Sequence, residues 1–88
     1  MLHIINTSQA LTNCLPYILP SDAIVLIEDG VYAAIINTEL NLKYCSIFAV
    51  KNDIIIRGIT DKISSDIKLI SYEEFVELTI RFHSSQSW

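Results

Sequence analysis

Eighty-eight residues, 51% hydrophobic and 18% charged, make one small domain, and with only two glycines and two prolines they exclude disorder, collagen-like repeats and low-complexity tails. A net charge of −4 and a pI near 4.9, with six bases scattered singly, exclude the basic stripe on which direct nucleic-acid binding depends. A chain of this size buries only about 60% of its unfolded surface, so a mean hydropathy of +0.41 predicts an oligomer that hides apolar surface against partner chains.

In chain order, Leu2-His3-Ile4-Ile5 is a β-branched run that ends at the turn and N-cap residues Asn6-Thr7-Ser8. Ala10, Leu11, Cys14, Leu15 and Ile18 follow at helical spacing between Gln9 and Leu19; Pro16 kinks or shortens this helix and Pro20 stops it. Ala23-Ile24-Val25-Leu26-Ile27 is apolar throughout, as strands buried on both faces of a parallel sheet are. After Glu28-Asp29-Gly30, Val31 to Ile36 reads as a short buried helix, and Tyr44 to Val50 as the third strand. Lys51-Asn52-Asp53 turns into a brief helix from Ile54 to Arg57, with Gly58 as its C-cap. Ile67 to Ile70 is the fourth strand. The last helix opens on a capping box, Ser71 and Glu74, with Ile70 stapled onto Phe75. Tyr72, Phe75, Val76, Thr79 and Phe82 are read as its apolar face, and Glu73, Glu77 and Arg81 as its polar one. Four β–α alternations with short connections predict a single α/β domain, residues 1–88, with a parallel sheet, right-handed crossovers and helices on both faces.

Ligands of such sheets bind beyond the carboxyl ends of the strands. Four segments are predicted to meet there: Asn6-Thr7-Ser8, Glu28-Asp29-Gly30, Lys51-Asn52-Asp53 and Ser71-Tyr72. Capping accounts for most of their polar side chains. Glu28-Asp29 has no second carboxylate pair or histidine at a readable spacing, and neither GxGxxG, GxxxxGK[ST] nor G-x-S-x-G is present. His3 reads as a satisfied core histidine and His83 as a solvated one, so no catalytic constellation emerges. With Cys14 and Cys45 these histidines could supply four zinc ligands, but no two of them stand at ligand-pair spacing, and no metal or cofactor is expected. Cys45 is predicted in the middle of a strand and Cys14 within a helix near its apolar face. Neither occupies a strand-to-helix turn, where a thiolate is stabilised. The opening Met1-Leu2-His3-Ile4 has no positive n-region, and no apolar run reaches the ~18 residues that span a bilayer. The expectation is a soluble, cytoplasmic protein that is not an enzyme by itself.

Several segments together carry a resemblance. They are Met1-Leu2-His3, the stretch Leu26-Ile27-Glu28-Asp29-Gly30-Val31-Tyr32-Ala33-Ala34, the stretch Ile54-Ile55-Ile56-Arg57-Gly58-Ile59, the run from Ile63 to Thr79, and the closing Ser85-Gln86-Ser87-Trp88. In this order they resemble the DsrH-like (TusB) family of the DsrE/DsrF/DsrH group. The resemblance implies a three-layer α/β/α fold with a mostly parallel four- to five-stranded sheet. It also implies assembly with TusC-like and TusD-like subunits into a heterohexamer, a dimer of heterotrimers. That complex relays persulfide sulfur from a cysteine desulfurase through TusA, onward to TusE and the thiolase MnmA, toward 2-thiouridine at the tRNA wobble position. In the sulfur-accepting subunit of the group the working cysteine sits in the loop after a central strand. Its counterpart here, Val50-Lys51-Asn52-Asp53, has none, which implies a non-catalytic structural subunit. Two alternatives stay open: a persulfide carrier using Cys14, and a stand-alone homo-oligomeric binding module. Tyr32, Ile35, Ile36 and Trp88 are the candidate interface residues, with helix-to-sheet packing as the rival reading of the first three. Asp29, Gly30, Arg57 and Gly58 read as turn-formers, with Arg57 pairing with a nearby acid.

Overall fold

Each of the four apolar runs forms a strand, and all four point the same way. The computed structural model describes residues 1–35 and 45–88. Strands β1 (Leu2–Ile5), β2 (Ala23–Leu26), β3 (Ser46–Val50) and β4 (Lys68–Ile70) pair in parallel with β5 (Ser85–Ser87) in one sheet of order β4-β3-β2-β1-β5. The helices are α1 (Ser8–Cys14), α2 (Lys51–Ile56) and α3 (Tyr72–Arg81), joined by 3-10 turns at Leu15–Tyr17, Glu28–Ala34 and Thr60–Lys62.

Period-two alternation divides the sheet's side chains between two cores. Ile5, Ile24, Leu26, Ile47 and Ala49 pack with Ala10, Leu11 and Cys14 of α1, Val31 and Ala34 of the 3-10 stretch, and Ile54 of α2. Leu2, Ala23, Val25, Val50 and Ile70 pack on the opposite face with Leu78 of α3. Among the described residues the layers are therefore unequal: three helical segments cover one face, and α3 the other.

Local chemistry sets most boundaries. Thr7 caps α1 by accepting the Ala10 N–H at 3.0 Å. Pro16 does not kink this helix. α1 ends before it, and the proline sits in the first turn of a separate 3-10 segment, where its missing N–H costs nothing. The helix predicted from Val31 is a 3-10 stretch that begins three residues earlier, at Glu28. Gly30 permits a close approach there: a Cβ on it would lie 2.1 Å from the Ile5 carbonyl oxygen. Gly58, at φ 66°, ends the turn after α2 as expected of a C-cap. The Ser71–Glu74 capping box is formed on both sides, with bonds of 3.0 and 3.1 Å.

Three expectations need correction. Asn52 and Asp53 do not cap α2; it starts at Lys51 with Val50 in the cap position and no side-chain cap. Cys45 lies just before β3 rather than within it. On α3 the buried residue is Leu78, with Phe75 and Phe82 packed beside it, whereas Tyr72 and Val76 are exposed. The apolar residues on α3 span more than one face, so the pattern alone misplaces the seam. β5 lay outside the residue-level reading because Ser85-Gln86-Ser87 is polar and wholly exposed; backbone pairing alone places it on β1.

Candidate functional site

A parallel sheet sends every strand end to one edge, so the four predicted segments do meet there. Three of them, those after β2, β3 and β4, frame a cleft of about 360 Å³ lined by Ile27, Glu28, Val50, Asn52, Asp53, Tyr72 and Phe75, which Asn6-Thr7-Ser8 does not line. Its walls are braced by charge. Asp53 Oδ2 accepts the Glu28 backbone N–H at 2.9 Å, which holds Glu28 at φ 49°, a left-handed conformation that a non-glycine residue adopts only when its surroundings enforce it. Arg57 donates to Asp29 Oδ1 from Nε at 3.0 Å and stands 2.9 Å from it through Nη2, while Nη1 reaches the Asp53 carbonyl at 3.1 Å. The pairing anticipated for Arg57 thus joins the two segments Glu28–Ala34 and Lys51–Ile56. These acids are engaged in shaping backbone, and neither a thiol nor an imidazole lines the cleft.

Both thiols stand at the opposite edge. α1 runs antiparallel to the strands, so Cys14, its last residue, lies at a helix C-terminus, where the dipole disfavours an anion. It is fully buried, and burial, then Cys45, then Asp22, pushes its thiol up to about 11. Cys45 is partly buried, and burial followed by Asp22 raises it too. Cys45 lines an amino-edge hollow of about 370 Å³ together with Asp22, Phe48, Leu78, Arg81 and Phe82. Cys14 has neither a neighbouring cation nor access; Cys45 borders a hollow that Arg81 also lines, yet burial and Asp22 still raise its thiol.

Asp22 organises this edge. Its Oδ1 accepts from the terminal ammonium of Met1 at 2.9 Å, and its Oδ2 accepts the Leu19 N–H at 2.9 Å and lies 2.9 Å from Nε2 of buried His3. Trp88 Nε1 lies 3.0 Å from His3 Nδ1. An indole N–H only donates, so Nδ1 accepts and the Nε2 proton is the one given to Asp22. Burial works to raise the Asp22 carboxyl, but the bonds from His3, Leu19 and the ammonium outweigh it and hold the group down at about 2. Trp88 also stacks on Tyr17, with centroids 5.5 Å apart. The network was missed because Asp22 reads as an ordinary turn residue before a strand, and nothing local ties it to residues 3 and 88.

The candidate interface residues differ in their surroundings. Tyr32 is exposed on the 3-10 stretch; Ile35 packs on the first core and bridges to Ile63; Trp88 is partly buried against the same core and bonded to His3; Ile36 lies outside the described residues. His83 is exposed and His3 is the satisfied core histidine that the sequence suggests. Among the described residues no group of three His, Cys, Asp or Glu side chains could hold a metal ion, and no helix is long and apolar enough to cross a membrane.

The class these features define is a five-stranded parallel α/β domain whose strand-end cleft is lined by no thiol among the described residues. Comparison with known proteins specifies it further. The family model described as "DsrH like protein" matches residues 6–85. The chain is 36% identical to Protein TusB of Escherichia coli K12 over 95 aligned positions that span the whole of both chains, and 35% identical over the same span to Protein TusB of E. coli O81. It superposes on the solution NMR structure of protein Tm0979 from Thermotoga maritima with a TM-score of 0.66, at 27% identity, covering 92% of this chain and 93% of the other. The chain belongs to the DsrH-like family.

Proposed function

We propose that this chain is a non-catalytic structural subunit of a TusBCD-type sulfur-relay complex, assembled with TusC-like and TusD-like subunits as a dimer of heterotrimers, which passes persulfide sulfur toward 2-thiolation of the tRNA wobble uridine. Full-length likeness to proteins named TusB supports the setting. The observation that carries the subunit's role is the placement of sulfur. The turn after β3 presents Asn52 and Asp53 to the cleft, while Cys14 and Cys45 lie at the far edge with raised thiols beside Asp22. A thiol held protonated at pH 7 neither attacks a persulfide nor receives its sulfur efficiently. The chain would then support the relay by shape and contact, in the cytoplasm where such a relay works, with no cofactor and no direct hold on tRNA.

The test is co-expression with TusC-like and TusD-like chains, native mass spectrometry of the assembly, and measurement of 2-thiouridine in tRNA. Replacing Cys14 and Cys45 together by alanine should leave both assembly and thiolation intact. Thiolation lost from an intact assembly would overturn the reading. So would a persulfide mass shift on the wild-type chain that Cys14→Ala abolishes, since that would make Cys14 the carrier. A stable homo-oligomer that ignores both partner chains would identify a stand-alone module instead.

A further inference from the structure

The three residues of β5, Ser85, Gln86 and Ser87, are exposed, and the strand lies at the edge of the sheet with β1 beside it. Backbone bonds frame it, from the Leu2 N–H to the Ser84 carbonyl at 3.0 Å and from the Trp88 N–H to the Ile4 carbonyl at 3.1 Å. A short edge strand that buries no side chain of its own opens at little cost. Its anchor is the residue that follows. Trp88 is partly buried against the first core, and its indole N–H donates to Nδ1 of His3 at 3.0 Å. The stack of Trp88 on Tyr17 adds less, because the Tyr17 residue is 65% exposed.

His3 can hold that indole in one protonation state alone. It is 1% exposed on β1, between Ile24 of β2 and Gln86 of β5. Nε2 gives its proton to Asp22 at 2.9 Å, so the lone pair on Nδ1 receives the indole N–H. A solvent proton added to Nδ1 turns this acceptor into a donor, and two N–H groups then face each other across the former bond. The bond to Asp22 survives and becomes charge-assisted, which keeps the imidazolium in place. The Met1 ammonium, on the other oxygen of Asp22, opposes the added charge. Cys14 at the end of α1 and Cys45 before β3 have raised thiols and stay neutral between pH 5 and 7.5, while Asp22 stays charged. The Tyr17 phenol of the first 3-10 turn lies against Trp88, His83 before β5 is exposed, and α3 packs on the opposite face of the sheet. We propose that His3 and Trp88 form a proton-operated latch. Protonation of His3 releases the indole, and β5 then leaves β1, baring the Leu2 N–H and the Ile4 carbonyl at the sheet edge.

The experiment is hydrogen exchange of the full chain followed by NMR at pH 7.5 and pH 5, a span over which imidazoles in general take up a proton. Protection factors remove the intrinsic pH dependence of exchange. The backbone amide of residue 88 should lose protection by about tenfold or more at pH 5, and the Trp88 indole N–H should exchange faster with it. The amides of β2, at the centre of the sheet, should keep theirs. His3→Gln can accept the indole N–H through its side-chain oxygen and donate to Asp22 through its nitrogen, but takes up no proton, so the drop should vanish. Trp88→Phe gives a second check that leaves His3 in place: without the donor, residue 88 should be poorly protected at both pH values, with no step between them. His83→Gln should retain the full drop, which assigns the response to His3. Constant protection in the wild-type chain would overturn the proposal, as would the same drop in His3→Gln or Trp88→Phe, or its loss in His83→Gln. A drop shared equally by β2 would be global unfolding and would overturn it too.

Discussion

Replacing Asp22 by asparagine tests the amino-edge network directly. The carboxylate takes a bond from His3, another from the Leu19 N–H and an ion pair from the terminal ammonium. Its fall from 3.8 to about 2 means that the folded state binds this proton less tightly than the unfolded chain does. At 1.36 kcal/mol per pH unit this would be at most about 2 kcal/mol, and screening at the rim, beside a half-exposed ammonium, brings it to about 1 kcal/mol. Because the folded value is depressed, this stabilisation is complete above about pH 4 and disappears as pH falls toward 2. Urea unfolding followed by the fluorescence of Trp88, the single tryptophan, measures it with a reporter bonded to the same network. The wild-type chain should exceed Asp22→Asn by about 1 to 3 kcal/mol at pH 7, since lost charged hydrogen bonds add to the titration effect. The gap should narrow as the pH drops from 4 to 2. A gap that stays constant over that range, or is absent at pH 7, would refute the charged network as a source of stability.

Other substitutions have equally definite outcomes. Gly30→Ala forces a Cβ to within 2.1 Å of the Ile5 carbonyl and should cost about 3 kcal/mol or more, read as a fall in denaturation midpoint. A cost below about 1 kcal/mol would mean the 3-10 stretch does not pack against β1 as closely as described. Ser71→Ala removes half of the capping box and should cost about 1 kcal/mol by the same assay. Cys14 should resist thiol reagents in the folded chain at pH 8, where Cys45 reacts slowly. Because its thiol is raised, the neutral form's contribution is complete below about pH 9 and is lost as pH climbs toward 11, so alkaline destabilisation should be smaller in Cys14→Ala. Equal loss in both proteins would exclude Cys14 as its source.

Sequence carried the fold further than it carried the site. The run Ala23–Leu26 is apolar and buried throughout, and such strands alternating with helical segments identify a parallel sheet. The capping box, the glycine after α2 and the convergence of four strand ends were also local features, readable within a few residues. β5 was different: Ser85-Gln86-Ser87 has no apolar period, and it is held by backbone bonds to β1, more than eighty residues away. Trp88 has the same cause. Read alone it is a loose aromatic suited to an interface, yet its indole closes on His3, a contact with no sequence signature. The α3 seam was misassigned because Tyr72, Val76 and Ile80 extend the apolar set beyond the stripe that packs on the sheet.

Strand direction sets the surroundings of the two cysteines. In a parallel sheet each crossover helix begins where a strand ends, so helix N-termini gather at the carboxyl edge and helix C-termini at the other. A thiol at the first edge meets positive partial charge and an open cleft; one at the second meets negative partial charge. Cys14 ends α1, and Cys45 precedes β3, so both fall on the second edge, where buried Asp22 adds a full negative charge. At the first edge the corresponding space is occupied by Asp53, whose carboxylate is spent on the Glu28 N–H and whose backbone carbonyl is held by Arg57. The framework therefore uses its strand-end cleft to fix loops.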